Sequence, residues 1–474
     1  MTIKQLETDY LIIGSGAVGM AFADVLLSET EANILIVDKH HKPGGHWNDA
    51  YSFVTLHQPS AFYGVSSQEL CSGTIAQVGP NEGLQELATG PEIMSYFDQV
   101  MLNRFLPSGR VQYFPMCEYT GDGKFNSLLS DKQYQVNVNK KVVDGSFFNT
   151  SVPSTHKVAF DIAPEIQFAP LNDLPLMKEA HESYVVVGGG KTGIDACIWL
   201  LENQIDPDNI RWIMPRDAWL MDRKNTQTIP EFFEHSMGTQ ANQMEALAKA
   251  ESLDDLFDRL EKVGALVRID QSVTPKMFHG ATISQKELEE LRRIKNVIRM
   301  GRVTSIEKDQ IVLEHGTIPT NENVLHIDCS ASAVPPRPPV PVFQDNVITV
   351  QTVRTVQPVF SAAFIAHIEA QYPDSTPEER AKKNQLCTVV PLPNHATDWL
   401  LVTGAQMMNQ VQWSKEPGLR EWIAANRLDG FSRMIQDVDP GDVEKMQILA
   451  KMKEYSMPAG MKIQQFLAEL KNAA

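Results

Sequence analysis

The chain has 474 residues, of which 43% are hydrophobic and 21% charged, values typical of globular proteins rather than disordered, collagen-like or disulfide-stapled chains. A compact domain holds about 100 to 150 residues, so we expect two or three domains. The 42 basic and 59 acidic residues give a net charge of −17, which disfavours nucleic acids and anionic lipid surfaces as partners.

The cysteines and the N-terminal region bear on the cellular compartment. The cysteines are scattered, odd in number and without a CxxC pair, which predicts reduced thiols in a cytoplasmic protein and excludes a dithiol relay or a zinc ribbon. The N-terminal apolar run 10–27 is interrupted by three glycines and Asp24. We therefore expect neither a signal peptide nor a membrane span.

Residues 9–38 predict a strand, a glycine turn, a helix and a second strand. The apolar run 9–13 is typical of a parallel strand buried on both faces, and Gly14-Ser-Gly16-Ala-Val-Gly19 follows it. Apolar residues then recur at helical spacing, and the second strand, 33–38, ends in an aspartate.

Such a turn lets a phosphate approach a helix N-terminus, where unpaired N–H groups and the helix dipole attract it. Gly14 permits the tight turn, Gly16 the close approach, and Gly19 the packing of helix on strand. Asp38 stands at the distance where an acid binds the ribose hydroxyls of a dinucleotide. The segment therefore predicts a dinucleotide site.

The same layout returns at residues 184–216. Strand 184–187 leads into Gly188-Gly-Gly190-Lys-Thr-Gly193, followed by a helix and the strand 210–214. This strand ends without an acid, and Arg216 follows, a residue type that clamps a 2′-phosphate through charge-assisted bonds. We therefore expect NADPH rather than NADH at the second site, with Lys191 adding charge for the pyrophosphate.

The remaining segments predict the helices and strands around these two units. A helical insertion at about 230–295 is expected to pack on the second unit. Further β segments are expected at 110–119, 134–143, 297–306, 311–313, 323–328 and 346–353, with a proline-rich crossover at 334–341, a helix at 361–370 capped by Ser361, and a helical tail from 416. The predicted domains are residues 1–175, 176–330 and 331–474.

With these motifs and Gly44-Gly-His-Trp47, the sequence resembles the flavin-containing monooxygenase and Baeyer–Villiger class of FAD/NADPH flavoproteins, within the wider glutathione-reductase-like group. The resemblance implies an α/β fold with two Rossmann-type dinucleotide-binding domains, FAD in the first and NADPH in the second. It also implies that Gly44, Gly45 and Trp47 contact the FAD, and that the helix starting at Ser361 faces the flavin pyrimidine edge.

The resemblance further implies individual site residues. In Leu56-His-Gln-Pro-Ser60, Gln58 would act beside the flavin and nicotinamide, with His57 next to it. The expected cofactor-binding residues are Gly14, Ser15, Gly16, Ala17, Val18, Gly19, Asp38, Lys39, Gly44, Gly45, His46, Trp47, Cys117, Gly188, Gly190, Lys191, Thr192, Gly193, Arg216 and Ser361. No metal is expected, because the nearby histidines His40, His41, His46 and His57 share no element that would align them.

The implied reaction is a monooxygenation, in which NADPH reduces FAD and molecular oxygen then acts on a small organic substrate. Two departures from the family favour an alternative, an NADPH dehydrogenase that passes electrons to a quinone or a protein. Residues 168–174 lack the glycine and histidine of the monooxygenase fingerprint, and Asp328-Cys-Ser-Ala331 replaces an Ala-Thr-Gly segment. A non-catalytic flavin-binding sensor or scaffold is the third hypothesis. The sequence leaves a homo-oligomer open.

Overall fold

The computed structural model describes residues 3–335 and 337–473. Its first unit is an α/β unit with a mainly parallel sheet, and the predicted strand, turn, helix and strand are present in order. The elements are β1 (Ile3–Ile13), α1 (Ala17–Glu29), β2 (Ile34–Val37), α2 (Gly90–Val100), β3 (Val111–Phe114), β4 (Cys117–Gly121), β5 (Lys124–Ser127) and β6 (Gln133–Asp144).

The first sheet has the order β3-β2-β1-β6-β5-β4, and a late strand, β18 (Val347–Thr349), returns to pair with β6. The strands β3, β2, β1, β6 and β18 are parallel, whereas β5 and β4 form antiparallel pairs. Ile12 of β1 lies between Ile36 and Val143 in the register. All four residues of β2 are buried, as expected for a strand covered on both faces. Because the carboxyl ends of β1 and β2 meet at one edge, the glycine turn and Asp38 are brought together.

The second unit is another parallel sheet, with the order β13-β10-β9-β17-β8, and a smaller sheet of β16, β15, β14 and β7 packs against it. A parallel pair, β11 and β12, was not predicted from the sequence. The elements are β7 (Asp161–Ile162), β8 (Gln167–Pro170), β9 (Ser183–Val187), α3 (Lys191–Glu202), β10 (Ile210–Ile213), β11 (Ala218–Asp222), α4 (Phe233–Lys249), α5 (Leu253–Lys262), β12 (Met277–Ile283), α6 (Gln285–Leu291), β13 (Val297–Ile298), β14 (Val303–Ile306), β15 (Gln310–Leu313), β16 (Gly316–Pro319) and β17 (Val324–Asp328).

The C-terminal part is helical and begins earlier than the sequence predicted. Pro336 of the expected crossover lies outside the described residues, and the described residues of 334–341 form neither helix nor strand. The helices are α7 (Pro358–Gln371), α8 (Pro377–Leu386), α9 (Asp398–Trp413), α10 (Leu419–Ala425), α11 (Ser432–Gln436) and α12 (Val443–Ala473).

Two helices of the insertion pack differently from the expectation. Helices α4 and α5 share a hydrophobic cluster with α9 and α12, in which Leu247 and Leu260 meet Trp399, Ile463 and Phe466. The third helix, α6, instead joins the cluster that covers β9 and β10, as predicted. The apolar faces of α4 and α5 therefore lie mainly against the C-terminal helices, which the periodicity of the insertion alone could not reveal.

The N-terminal apolar run forms the end of β1 and most of α1. Within the described residues, no helix is both long and apolar enough to cross a bilayer.

We expect the replacement Ile463→Ala to lower the free energy of unfolding by about 2 to 5 kcal/mol, because it leaves a cavity between the insertion and α12. Ile463 is 3% exposed, whereas Met461, on the same helix, is 67% exposed. Met461→Ala is therefore the matched control and should cost less than about 0.5 kcal/mol. Urea unfolding followed by tryptophan emission tests this, and equal losses in the two variants would contradict the packing.

Candidate functional site

The first glycine turn joins β1 closely to α1. Gly14 has a φ of +94°, and its N–H donates to the Val37 carbonyl at 2.8 Å. A Cβ on Gly19 would lie 2.0 Å from the Gly14 carbonyl oxygen. Helix α1 begins after Gly16, and no described side chain caps it. Its first N–H groups are therefore available to an anion.

Asp38 fixes this turn from the end of β2. Ser15 donates to one carboxylate oxygen through both its backbone N–H and its hydroxyl, and the His40 N–H and ring Nδ1 contact the other oxygen at 2.8 and 2.9 Å. Asp38 is 5% exposed. Burial by itself would raise the pKa of Asp38, but the hydrogen bonds from His40 and Ser15 outweigh it and lower the pKa.

His40 bridges two carboxylates, because its Nε2 lies 2.9 Å from Asp49. The hydrogen bond to Asp38 is the largest influence on its pKa, which is raised, with Asp49 acting in the same direction against partial burial. His40 therefore contacts both carboxylates at once, an arrangement that favours its protonated form.

Two other residues predicted near Asp38 differ in exposure. The Cys117 N–H donates to the Asp38 carbonyl at 2.9 Å, and its buried side chain packs among Leu35 and Val136, so burial raises its pKa. Lys39 is exposed, and its ammonium pairs with no described residue. Cys117 can line the end of the site with its apolar side chain, whereas Lys39 faces solvent.

The segment Gly44–Trp47 lies directly against the first turn. The Gly44 N–H donates to the Ser15 carbonyl at 2.9 Å, and a Cβ on Gly45 would lie 2.9 Å from the Gly16 Cα. Gly44 and Gly45 have φ values of +120° and +59°. Only glycine fits both the space and these angles.

The aromatic end of this segment is anchored. The Trp47 indole N–H donates to the Tyr63 hydroxyl at 2.9 Å, and the His46 ring stacks on Trp47 with centroids 5.0 Å apart. Burial lowers the pKa of His46 to about 4. His46 is therefore a neutral, stacked residue at neutral pH.

The second glycine turn repeats the first. Gly188 has a φ of +137°, where a Cβ would lie 2.2 Å from the Cys329 carbonyl oxygen, and a Cβ on Gly193 would lie 2.1 Å from the Gly188 oxygen. Gly190 faces open space, with none of the described heavy atoms within 4 Å of its Cβ position. Helix α3 begins after Gly190, again uncapped by any described side chain. The turn forms a second open cradle.

Lys191 does not point freely into this cradle. It forms an ion pair with Asp195 one turn along α3, and the Tyr51 hydroxyl donates to the same carboxylate at 2.6 Å. Thr192 is partly exposed beside it. Lys191 therefore contributes less free charge to an anion than the sequence predicted, and Tyr51 of the first unit is tied to the second.

Arg216 lies just beyond the end of β10. Partial burial and the charge of Arg302 lower the pKa of Arg216. Its guanidinium donates to the Asn394 amide oxygen at 3.3 Å. Within the described part of the chain, neither arginine forms an ion pair. An unpaired guanidinium at the end of this strand can bind an anion in a protein of net charge −17.

The two predicted catalytic residues lie where the two units meet. The His57 carbonyl accepts from the Arg223 Nε at 3.2 Å and from the Thr282 hydroxyl. Burial, with Lys191 and Arg223 nearby, holds the pKa of the His57 imidazole well below its usual range. Gln58 is partly exposed, and its amide bonds to no described residue. His57 is thus neutral, and Gln58 is free to bind a ligand.

The structure corrects the expectation that Ser361 caps the helix. Helix α7 begins earlier, at Pro358, where a proline loses no hydrogen bond, and Gln357 occupies the N-cap position without a side-chain capping bond. Ser361 is fully buried in the first turn, where its hydroxyl donates to the Gln357 carbonyl at 2.8 Å and accepts the N–H groups of Val353 and Arg354. Its role is to hold the preceding turn.

No group of three or more metal-ligating side chains comes together in residues 3–335 and 337–473, at the nearby histidines or elsewhere.

The segment 394–398 is a turn, because Asp398 accepts the N–H groups of Asn394 and His395, each at 2.8 Å.

Sequence reasoning missed three contributors to this region. Tyr51 joins the units, Arg223 is a buried partner of Glu287, and Gly145 packs on the first turn, where its Cβ would lie 2.9 Å from the Ile13 oxygen. A glycine directly after β6 was the only local signal for Gly145. The other two roles depend on contacts between distant segments.

Comparisons with known proteins agree with this architecture. Residues 12–65 match the family model of an NAD(P)-binding Rossmann-like domain. The chain is 47% identical over 426 residues to uncharacterized protein Rv2000 of Mycobacterium tuberculosis (strain ATCC 25618 / H37Rv), an alignment that covers 90% of this chain and 78% of that protein. Uncharacterized protein Mb2023 of Mycobacterium bovis gives the same values. The chain belongs to their family.

A solved structure establishes the fold. The cyclohexanone-bound crystal structure of cyclohexanone monooxygenase matches with a TM-score of 0.51 over 90% of this chain and 99% of that chain, at 14% identity. At this identity the likeness concerns the fold. It confirms the predicted α/β fold, which this chain shares with that protein.

We expect His40 to stabilise the protein in a pH-dependent way. Because its folded pKa is raised, this stabilisation is fully present below the unfolded value of about 6.5 and is lost as the pH rises through the folded value. The difference in melting temperature between wild type and His40→Gln should therefore shrink from about pH 5.5 to about pH 8.5. His41→Gln, at an exposed neighbour, is the control. A melting-temperature difference between wild type and His40→Gln that stays constant with pH would refute the bridge that His40 forms between Asp38 and Asp49.

Proposed function

We propose that the protein is an FAD-dependent oxidoreductase reduced by NADPH, and specifically a monooxygenase of a small organic substrate. The observation that carries this proposal is the pair of glycine-lined, uncapped helix N-termini, one beside Asp38 and one beside Arg216. An acid suits a ribose diol and a base suits a 2′-phosphate, so the two sites favour different dinucleotides.

The first site fits FAD. Gly16 and Gly45 approach each other without side chains, and no described side chain caps α1, so a pyrophosphate can reach the N–H groups of α1. Trp47, held by Tyr63, would cover the cofactor beyond the pyrophosphate. When bound, FAD supplies a hydride acceptor and, once reduced, reactivity toward oxygen.

The second site fits NADPH. Gly190 leaves open space at the start of α3, and Arg216 with Arg302 offers two guanidinium groups for the 2′-phosphate. The bond from Tyr51 to Asp195 fixes α3 against the first unit, so the two N-termini keep a constant spacing. Such fixed spacing is what positions a donor next to an acceptor.

Gln58 and His57 would act at the junction. His57 is neutral, and its carbonyl is held by two donors from the second unit, which fixes the backbone of Gln58. The free amide of Gln58 can then donate one hydrogen bond and accept another between the two cofactors. The fold shared with cyclohexanone monooxygenase favours oxygenation as the outcome.

We also propose a cytoplasmic location, consistent with five free thiols.

One observation favours a second function, an NADPH dehydrogenase that passes electrons to a quinone or a protein. The stretch 168–174 lacks the glycine and histidine of the monooxygenase fingerprint, and it continues from β8, an edge strand of the second sheet, into a short 3₁₀ helix. Both functions require FAD and NADPH, and they differ only in what receives the electrons.

FAD retention tests the first site. The replacement Gly19→Ala should lower FAD affinity by about 100-fold or more, because the new methyl group overlaps the Gly14 carbonyl and displaces α1 from β1. Gly238→Ala is the matched control, since Gly238 lies in α4 and its Cβ position is 3.7 Å from Ile448. FAD binding by the control should equal that of wild type. Equal affinity in all three proteins would contradict the proposed site.

Reduction of the loaded protein then separates the functions. Anaerobic NADPH should bleach the flavin absorbance, whereas a sensor or scaffold would stay coloured. For a monooxygenase, admission of oxygen with a panel of small ketones and sulfides should give products carrying one atom of ¹⁸O from ¹⁸O₂. A dehydrogenase would instead reduce a quinone in the absence of oxygen and label no product.

Cofactor choice tests the second site. Arg216→Ala should raise the KM for NADPH about ten-fold or more and change the KM for NADH less than about two-fold, because only NADPH carries the 2′-phosphate. Arg293→Ala, at an exposed arginine of the same unit, serves as control. Equal losses for the two reductants would refute the assignment of NADPH to Arg216.

A further inference from the structure

The loop between α10 and α11, residues 426–430, reaches back to the first unit. The Arg427 guanidinium donates to the Val65 carbonyl at 2.6 Å and to the Ala61 and Tyr63 carbonyls at 2.9 Å each. These three carbonyls belong to the turn that directly follows Gln58. One side chain, distant in sequence, therefore fixes the backbone next to the predicted catalytic amide.

Asp429, in the same loop, binds a second segment, the turn before α7. It is 1% exposed, forms an ion pair with Arg354 and accepts the Ser432 N–H. The Arg354 guanidinium carbon also lies 3.8 Å from the centre of the Phe360 ring. Arg354 belongs to the turn before α7, the helix expected to face the flavin. Asp429 thus anchors the entry to that helix.

The turn before α7 has the features of a ligand-facing segment. Val356 has a φ of +49°, which β-branched residues rarely adopt, so the surrounding structure must hold it there. The Thr355 hydroxyl is buried and has no hydrogen-bond partner in the described ranges. A buried hydroxyl without a partner is costly unless a ligand or a water completes it.

The same loop also meets the second unit. Gly430 has a φ of +75°, and its Cβ position lies 2.8 Å from the Thr228 side chain and 3.4 Å from Phe62. Thr228 in turn donates its N–H to the Gln85 side chain at 2.7 Å. Three segments therefore converge on five consecutive residues, Asn426 to Gly430.

We propose that Arg427 and Asp429 are positioning residues that align the Gln58 turn with the turn before α7 at the flavin end of the crevice. This inference rests on the proposed function, because it assigns a purpose to the alignment. A guanidinium can bond three carbonyls through two nitrogens in one plane, whereas an ammonium presents a single nitrogen, so lysine replaces arginine only partly.

The variants for the test are Arg427→Gln, Arg427→Lys and Asp429→Asn. Their matched controls are Arg420→Gln and Asp437→Asn, at exposed positions of the same C-terminal region. Two readouts are needed: amide hydrogen exchange of the flavin-free full chain, and the rate of flavin reduction by saturating NADPH in the FAD-loaded protein.

For Arg427→Gln we expect amide hydrogen exchange in residues 60–65 to accelerate about ten-fold or more. Arg427→Lys should give an exchange rate between those of wild type and Arg427→Gln. Asp429→Asn should accelerate exchange in residues 353–357 instead. In the loaded protein the reduction rate should fall by up to about 100-fold while the KM for NADPH stays within about two-fold, since Arg216 is untouched. If Arg427→Gln does not fold, Arg427→Lys and Asp429→Asn carry the test.

Exchange rates equal to those of the controls would overturn the proposal. Faster exchange with an unchanged reduction rate would also overturn it, because the loop would then support the fold without positioning the site. Wild-type protein that binds FAD and reacts while the variants behave like the controls leaves the proposed function standing and removes only this inference. Wild-type protein that binds no FAD removes both.

Discussion

Direct contact of backbone with backbone is the constraint on which the molecule depends. In each unit the chain leaves a central strand, turns through glycines and enters a helix so closely that a single methyl group at Gly19 or Gly193 would overlap a carbonyl oxygen. The absence of a side chain likewise lets the Gly45 backbone contact Gly16. Because no described side chain caps either helix, the first N–H groups of α1 and α3 are available to an anion, and the proposed pyrophosphate contacts follow from this geometry.

Charge distinguishes the two cradles. Asp38 lies beside the first, and its carboxylate is contacted by Ser15 and His40. Arg216 lies beside the second, where partial burial and the charge of Arg302 lower the pKa of its guanidinium. The protein as a whole is acidic, so this local positive pair is a specific feature rather than a consequence of composition.

Segments far apart in the sequence hold the two cradles in a fixed relation. Tyr51 links the first unit to α3, and side chains of the second unit donate to the His57 carbonyl. The loop 426–430 contacts both units, through Arg427 and Gly430. The helical insertion completes the assembly by packing on α9 and α12. These connections make the junction the most constrained part of the molecule, which suits a site where two ligands must meet.

The sequence by itself determined the two strand, glycine turn and helix units, because periodicity and glycine requirements are local properties of the chain. It likewise identified Asp38 and Arg216 at the ends of equivalent strands. Only the tertiary structure decided which groups are free: Lys191 is engaged by Asp195, and Ser361 is buried inside the first turn of α7. The partner of the insertion and the role of Arg427, which bonds a carbonyl 362 positions away, were also decided there. Such contacts depend on how distant segments pack, and no local pattern of residues encodes them.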